Sequence, residues 1–283
     1  MIIMAMALLS SAALFAQPRD GGKPAFRGGF AAELPYPVVY EGPDVVFRKI
    51  ADGLYVGSGH VMATESLYIL EGTERAMLID TGTEIPDLDK IVAGITSLPL
   101  TVVITHAHPD HSGAAKYFDE VWVNPADEKD LGGYLGDDYK GTVRIFGNGH
   151  RWNLGGRIIE ALYTPAHTPG STTFMDVTNH YGFSGDSFGN GNLLLMGTFT
   201  TLMKTCQKTL DYMYANEIYW LYNGHFNGSN TESPKRLWDL ISISEDLLSG
   251  KVQGDKVPAG LGGLDHVYTR EGVRVNYGGH SFK

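Results

Sequence analysis

The segment V-V-I-T-H-A-H-P-D-H-S-G, Val102 to Gly113, carries four side chains able to bind a metal: His106, His108, Asp110 and His111. Imidazole nitrogen and carboxylate oxygen are donors that zinc and related divalent ions accept. His106 and His108 are two apart, so on extended backbone they point the same way. Pro109 then turns the chain, and Asp110 and His111 open the next helix. The group supplies two ligands for each of two neighbouring ions. Three further candidates each follow a strand-like run: His167 in T-P-A-H-T-P-G-S, Asp186 in F-S-G-D-S and His225 in Y-N-G-H. Strands of a common sheet would deliver all of them to one edge. Two divalent ions about 3.5–4 Å apart hold a water between them and lower its pKa from 15.7 to about 7, supplying hydroxide at neutral pH. One ion also polarises a carbonyl or phosphoryl oxygen, so hydrolysis is the natural reaction class.

From about residue 45 to the last helix, and above all in T-H-A-H-P-D-H, the chain resembles the metallo-β-lactamase superfamily. The resemblance implies that His106, His108 and His167 bind a first metal, and Asp110, His111 and His225 a second, with Asp186 bridging them. It implies two zinc ions, with iron or manganese as alternative occupants. Asp80, in L-I-D-T-G, matches a position that supports the site without binding metal. Asp110, beside the second metal, is the expected catalytic residue, orienting the water or passing a proton. Asp186 and Ser187 are neighbours on a strand and face opposite ways, so only one looks at the metals. Asp186 facing in resembles glyoxalase II and lactonase relatives; Ser187 facing in resembles the third subclass of true β-lactamases. A carboxylate compensates two cations better than a hydroxyl, which favours Asp186.

These residues need a scaffold of strand ends. V-V-F-R-K-I, L-Y-V-G, S-L-Y-I-L and A-M-L-I-D, separated by turn residues, predict an antiparallel meander. Leu88, Ile91, Val92 and Ile95 have the spacing of an amphipathic helix within Pro86 to Leu98. A helix from about Asp110 to Phe118, the strand V-W-V and a helix starting near Pro125 follow. A second meander is expected through V-R-I-F, R-I-I-E-A-L-Y, T-T-F-M-D-V and H-Y-G-F-S-G-D. Thr201 to Ala215 reads as a helix, E-I-Y-W-L-Y as a buried strand, Ser233 to Leu248 as a final helix, and V-Y-T-R-E-G-V-R-V-N-Y as a hairpin. Two strand groups, each with helices, predict an α/β fold: a four-layer αβ/βα sandwich of two mixed sheets with helices on the outer faces.

Residues 1–16 are apolar or small throughout and end before Gln17-Pro18, which reads as a secretory signal peptide although basic residues are missing ahead of it. The protein is therefore expected to be exported, periplasmic or secreted, with no membrane attachment after cleavage. Residues 17–44, rich in Gly and Pro, predict an extended arm, and 45–283 a single metallo-β-lactamase-like domain. The formal net charge of -10 argues against a nucleic-acid partner. A lone cysteine, Cys206, excludes an internal disulfide and a cysteine-based zinc set.

The expected partner is a small molecule. The apolar stretch holding Phe188, Met196 and Phe199 reads either as a substrate wall or as core, and His60 is a weaker candidate for substrate contact. The leading expectation is a binuclear zinc hydrolase using a metal-bound hydroxide on an ester, lactone, thioester or amide. A β-lactamase of the third subclass, an iron-dependent oxidoreductase of the same fold and a non-catalytic zinc protein are the alternatives. His108 argues against the di-iron type, which carries a carboxylate there. Oligomeric state has no signature in the sequence.

Overall fold

Successive side chains on a strand point to opposite faces, so the near-continuous apolar runs Ser66–Glu71 and Ala76–Ile79 let one sheet bury both of its faces. The computed structural model describes residues 34–59 and 64–283. Segment 1–16, most of the expected arm and His60 lie outside them. The described end of the arm supplies β1 (Val38–Glu41), which pairs antiparallel with β2 (Val45–Ala51). The predicted meander continues through β3 (Leu54–Gly59), β4 (Ser66–Glu71) and β5 (Ala76–Ile79). After α1 (Leu88–Ile95), β6 (Leu100–Val103) joins β5 in parallel and leads to the metal-ligand motif.

The helix expected from Asp110 to Phe118 is broken. α2 (Pro109–Ser112) is a single turn, followed by a 3-10 turn at Ala115–Tyr117. The Gly113 amide is shared between Pro109 O and Gly82 O, both at 2.9 Å, so the chain docks on the Gly82 loop instead of continuing. Next come β7 (Glu120–Val123), α3 (Glu128–Leu135) and β8 (Thr142–Ile145). β8 is the V-R-I-F segment. It lies parallel to β7 at the edge of the first, eight-stranded sheet rather than in the second meander, because α3 serves as a crossover.

The second sheet contains β9 (Arg151–Asn153), β10 (Ile158–Tyr163), β11 (Thr172–Asp176) and β12 (Tyr181–Phe183). After β13 (Asn192–Leu194) and α4 (Phe199–Ala215), β14 (Trp220–Tyr222) pairs parallel with β12 and completes it. α5 (Pro234–Leu248) starts as its sequence foretells: Ser233 Oγ accepts from Arg236 N, Pro234 occupies the first turn, and Gly250 follows at φ 71°. A short third sheet then forms from β15 (Asp255–Lys256), β16 (His266–Arg270) and β17 (Val273–Tyr277), with β13 beside β17.

The alternation sorts the core into layers. Tyr68, Leu70, Met77, Ile79 and Val103 face Ile159, Ala161, Phe174 and Phe183 across the gap between the two large sheets. Their neighbours Leu67, Ile69, Leu78 and Val102 face outward onto Leu88 and Val92 of α1 and Leu131 of α3. On the far side, Leu162, Met175 and Leu221 pack on α4 and α5, where Cys206 is a fully buried small hydrophobe. Helix, sheet, sheet, helix is the four-layer α/β sandwich predicted, with the small third sheet added beside α4 and α5. No helix among the described residues is long and apolar enough to cross a membrane.

Candidate metal centre

Several of the strands that end at one edge of the sandwich are followed there by a residue of the site. β5 is followed by Asp80, and β6 by Thr105, His106 and His108. α2 carries Asp110 and His111, the β10–β11 connection His167, and the segments after β12 and β14 Asp186 and His225. The two sheets are stitched together at this edge. Thr172 N donates to Thr105 O and Ser66 N to Gly224 O across the two sheets, while Gly224 N donates to Gly185 O within the second. Asn223 Oδ1 receives His225 N at 2.9 Å, and Asn230 Nδ2 donates to His225 O at 2.9 Å, so the loop bearing His225 is braced on both sides.

The side chains converge in two groups, His106 with His108 and His167, and Asp110 with His111, Asp186 and His225; in each, the potential ligand atoms lie within 4.8 Å of one another. Asp186 stands between the groups, its Oδ2 3.8 Å from His167 Nε2 and 3.3 Å from His225 Nε2. Asp110 Oδ2 is 3.5 Å from His225 Nε2 and 3.6 Å from His111 Nε2. Gly224 makes this approach feasible: a Cβ there would meet Asp186 Oδ1 at 2.3 Å and His111 Cε1 at 2.5 Å.

Neighbouring groups dictate which ring nitrogens carry protons. His167 Nδ1 faces Leu194 O at 2.8 Å, an acceptor only, so its Nε2 presents a lone pair. Thr105 Oγ1 donates to Asp80 Oδ2 at 2.8 Å and therefore accepts from His106 Nδ1 at 3.1 Å, which frees His106 Nε2 in the same way. Those two lone pairs converge on His108 Nδ1, at 2.8 Å from His167 and 3.1 Å from His106. One proton on His108 can serve one of them; a cation satisfies all three nitrogens. In the second group His111 Nδ1 meets Asp80 Oδ2 at 2.8 Å, and its Nε2 is buried with no hydrogen-bond partner, as is Asp186 Oδ1. Orphaned buried acceptors of this kind, all nitrogen or oxygen, fit divalent metal ions.

The electrostatics agree with that fit. Burial and the neighbouring His111 and His167 hold His106 well below the usual imidazole range, and burial with His167 lowers His108 to about 4. The first group thus offers neutral nitrogens. The second attracts positive charge. Burial opposes it, yet His225 and His111 hold Asp186 well below the usual carboxylate range, and His111 and His225 lower Asp110 to about 2. Conversely, Asp186 and Asp110 overcome burial and bring His225 up to about 10. Burial raises the Asp80 carboxyl, an effect offset in part by His111 and Thr105.

All seven predicted ligand residues come together, and Asp80 stands behind His111. Of the pair left open by sequence, Asp186 faces the cluster; Ser187 Oγ turns away to Thr164 Oγ1 at 2.8 Å. The stretch expected to be either substrate wall or core divides between core and cavity lining. Phe188 and Phe199 are 1% and 0% exposed and belong to the core on α4 and α5, because the chain after Asp186 folds under the third sheet. Met196 is half-buried and lines a cavity of about 310 Å³ beside His108 and His167, together with Asp130, Tyr134 and Pro169. Sequence reasoning missed Asp130 and Tyr134, although α3 places them on one face with Asp127 by helical spacing. It also missed Thr105, whose hydroxyl meets His106 Nδ1, and Asp127, which accepts from Ala107 N and Thr168 Oγ1 beside the histidines.

The sequence profile of the metallo-β-lactamase superfamily matches residues 64–225, a span that contains both ligand groups. The chain belongs to that superfamily. It is 25% identical over 217 residues to the acyl-coenzyme A thioesterase MBLAC2 of Gallus gallus, covering 62% of this chain and 76% of the relative. It is 27% identical over 179 residues to the hydroxyacylglutathione hydrolase of Xylella fastidiosa strain M23, covering 57% of this chain and 64% of that enzyme. A crystal structure of a metallo-β-lactamase from Erythrobacter litoralis superposes with a TM-score of 0.54 at 17% identity, over 74% of this chain and 100% of that one. At that identity the likeness is one of fold.

Proposed function

We propose that this metal-dependent hydrolase holds two zinc ions and cleaves a small acyl thioester or ester. The carrying observation is the pair of convergent ligand groups, with His111 Nε2 and Asp186 Oδ1 buried and unsatisfied in the second. His106, His108 and His167 would hold one ion, Asp110, His111 and His225 the other, and Asp186 both. When bound, such ions acidify water and take up charge from a carbonyl oxygen and a leaving group. The chain's own groups do the rest. Asp80 and Thr105 fix the tautomers of His111 and His106. Asp110, half-buried at the mouth of the site, orients the attacking water and accepts its proton. The cavity beside His108 seats the acyl group against Tyr134, Pro169 and Met196, and at about 310 Å³ it suits a small substrate.

Thioesters lead the substrate classes because two relatives are named for hydrolysing acyl-coenzyme A and hydroxyacylglutathione. Ser187 turned away from the cluster favours this reading over the third β-lactamase subclass. The apolar segment 1–16 supports export to the periplasm or medium; N-terminal sequencing of protein recovered from those fractions tests that part. Function itself is tested with metal-free protein assayed on a panel of thioester, ester, lactone and β-lactam substrates after zinc is restored. Zinc-dependent turnover of a thioester supports the proposal, and turnover of β-lactams alone overturns its substrate class.

A further inference from the structure

We propose that Asp127 is the positioning residue that locks the first histidine group together, an inference that rests on the two-ion site proposed above. Its place just before α3, in N-P-A-D, is that of a helix N-cap, yet its side chain makes no capping bond to that helix. The carboxylate instead reaches into the site, where it is 1% exposed. Oδ2 accepts from Ala107 N at 3.0 Å and from Thr168 Oγ1 at 2.9 Å, and Oδ1 accepts from Gly170 N at 2.8 Å.

These three donors lie on two separate stretches of chain. Ala107 sits between His106 and His108, so holding its amide sets the plane from which both imidazoles project. Thr168 follows His167. One carboxylate therefore fixes the spacing between the pair of histidines on the β6 side and the single histidine on the β10–β11 side. Hydrogen-bond accounting leaves it no other role. Ser171 Oγ accepts from Thr168 N at 2.9 Å and lies 2.9 Å from Thr168 Oγ1; with the Thr168 hydroxyl donating to Asp127, Ser171 donates to Thr168. All three groups facing Asp127 are donors, and its two carboxyl oxygens between them accept from all three. Gly170 is shaped to the same purpose, since a Cβ there would lie 2.3 Å from Asp127 Oδ1.

Asp127→Asn keeps the size and shape but turns an amide N–H2 toward one of the donors. The test is a zinc titration of the metal-free full chain by chelator competition, with His167→Ala and His225→Ala as markers for the two binding steps. Asp127→Asn is expected to weaken the step that His167→Ala abolishes by about 10–100-fold and to leave the step marked by His225→Ala intact. Equal weakening of both steps, or of neither, overturns the assignment. A wild-type chain that takes up fewer than two ions refutes the two-ion site instead, and Asp127 is then decided by ring-nitrogen NMR of the metal-free protein. There the resonances of His106, His108 and His167 must shift in Asp127→Asn while those of His111 and His225 stay; unchanged resonances throughout overturn the role.

Discussion

His111 Nδ1 lies 2.8 Å from Asp80 Oδ2, and both side chains are sealed from solvent at 0% and 2% exposure. That contact commits the Nδ1 proton and leaves Nε2 bare toward Asp110 and Asp186. Asp80 sits at φ 62°, a left-handed conformation that Asn also tolerates, so Asp80→Asn tests the contact without backbone strain. Its amide cannot accept from Thr105 N, Thr105 Oγ1 and His111 together. Zinc affinity at the second group is expected to fall about 10–100-fold by chelator competition. Unchanged affinity would show that Asp80 does not set the His111 tautomer.

Gly224→Ala probes the close packing of the His225 loop against Asp186 and His111. The added methyl would press on Asp186 Oδ1 and His111 Cε1, displacing that carboxylate. Turnover is expected to drop by on the order of 10²-fold while the far-ultraviolet dichroism is preserved. Wild-type rates in this variant would mean that Asp186 has slack the structure does not show.

Asp110→Asn separates proton handling from metal binding. Amide oxygen can still ligate, but the group no longer accepts a proton. Metal analysis should find the same zinc content, with kcat lowered by about 10²–10⁴-fold. Unchanged kcat with both ions retained removes Asp110 from the chemistry.

The ligand set was legible because its members are crowded and follow strands: T-H-A-H-P-D-H needs no tertiary context to be noticed. Other features depend on packing between distant segments. V-R-I-F reads as part of a meander, but its partner is β7 across a helical crossover, which local pattern cannot reveal. Phe188, Phe199 and Met196 are alike in apolarity; only the path of the chain under β13 and β17 decides that two are core and one borders the cavity. Asp186 and Ser187 sit not on a strand, as their spacing suggested, but in the turn after β12, which sends Asp186 toward the cluster and Ser187 toward Thr164. Asp127 carries the signature of a helix cap, and its long-range role exists only once the loops of His106 and His167 meet above it.

Away from the site, Glu232 supplies a pH test. It is 1% exposed, with Arg236 Nε 3.6 Å away, and burial lifts its carboxyl to about 8 against the pull of that guanidinium. A carboxyl raised on folding from an ordinary 4.5 binds more protons folded than unfolded between those values. Its stabilising contribution is full below about pH 4.5 and is lost as pH rises through about 8, an effect on the order of 3–5 kcal/mol. Glu232→Gln removes the titration. Denaturant unfolding at pH 5 and pH 9 should show wild type losing more stability than the variant, and equal losses would contradict the buried, protonated carboxyl.

The most direct test of the two-ion hydrolase is a titration of zinc into the metal-free chain while hydrolysis of a small acyl thioester is followed. The site described here predicts turnover that rises with zinc and saturates at two equivalents per chain, and that chelator abolishes. Saturation at one equivalent, or an inert protein with two zinc ions bound across thioester, ester and lactone substrates, would contradict it.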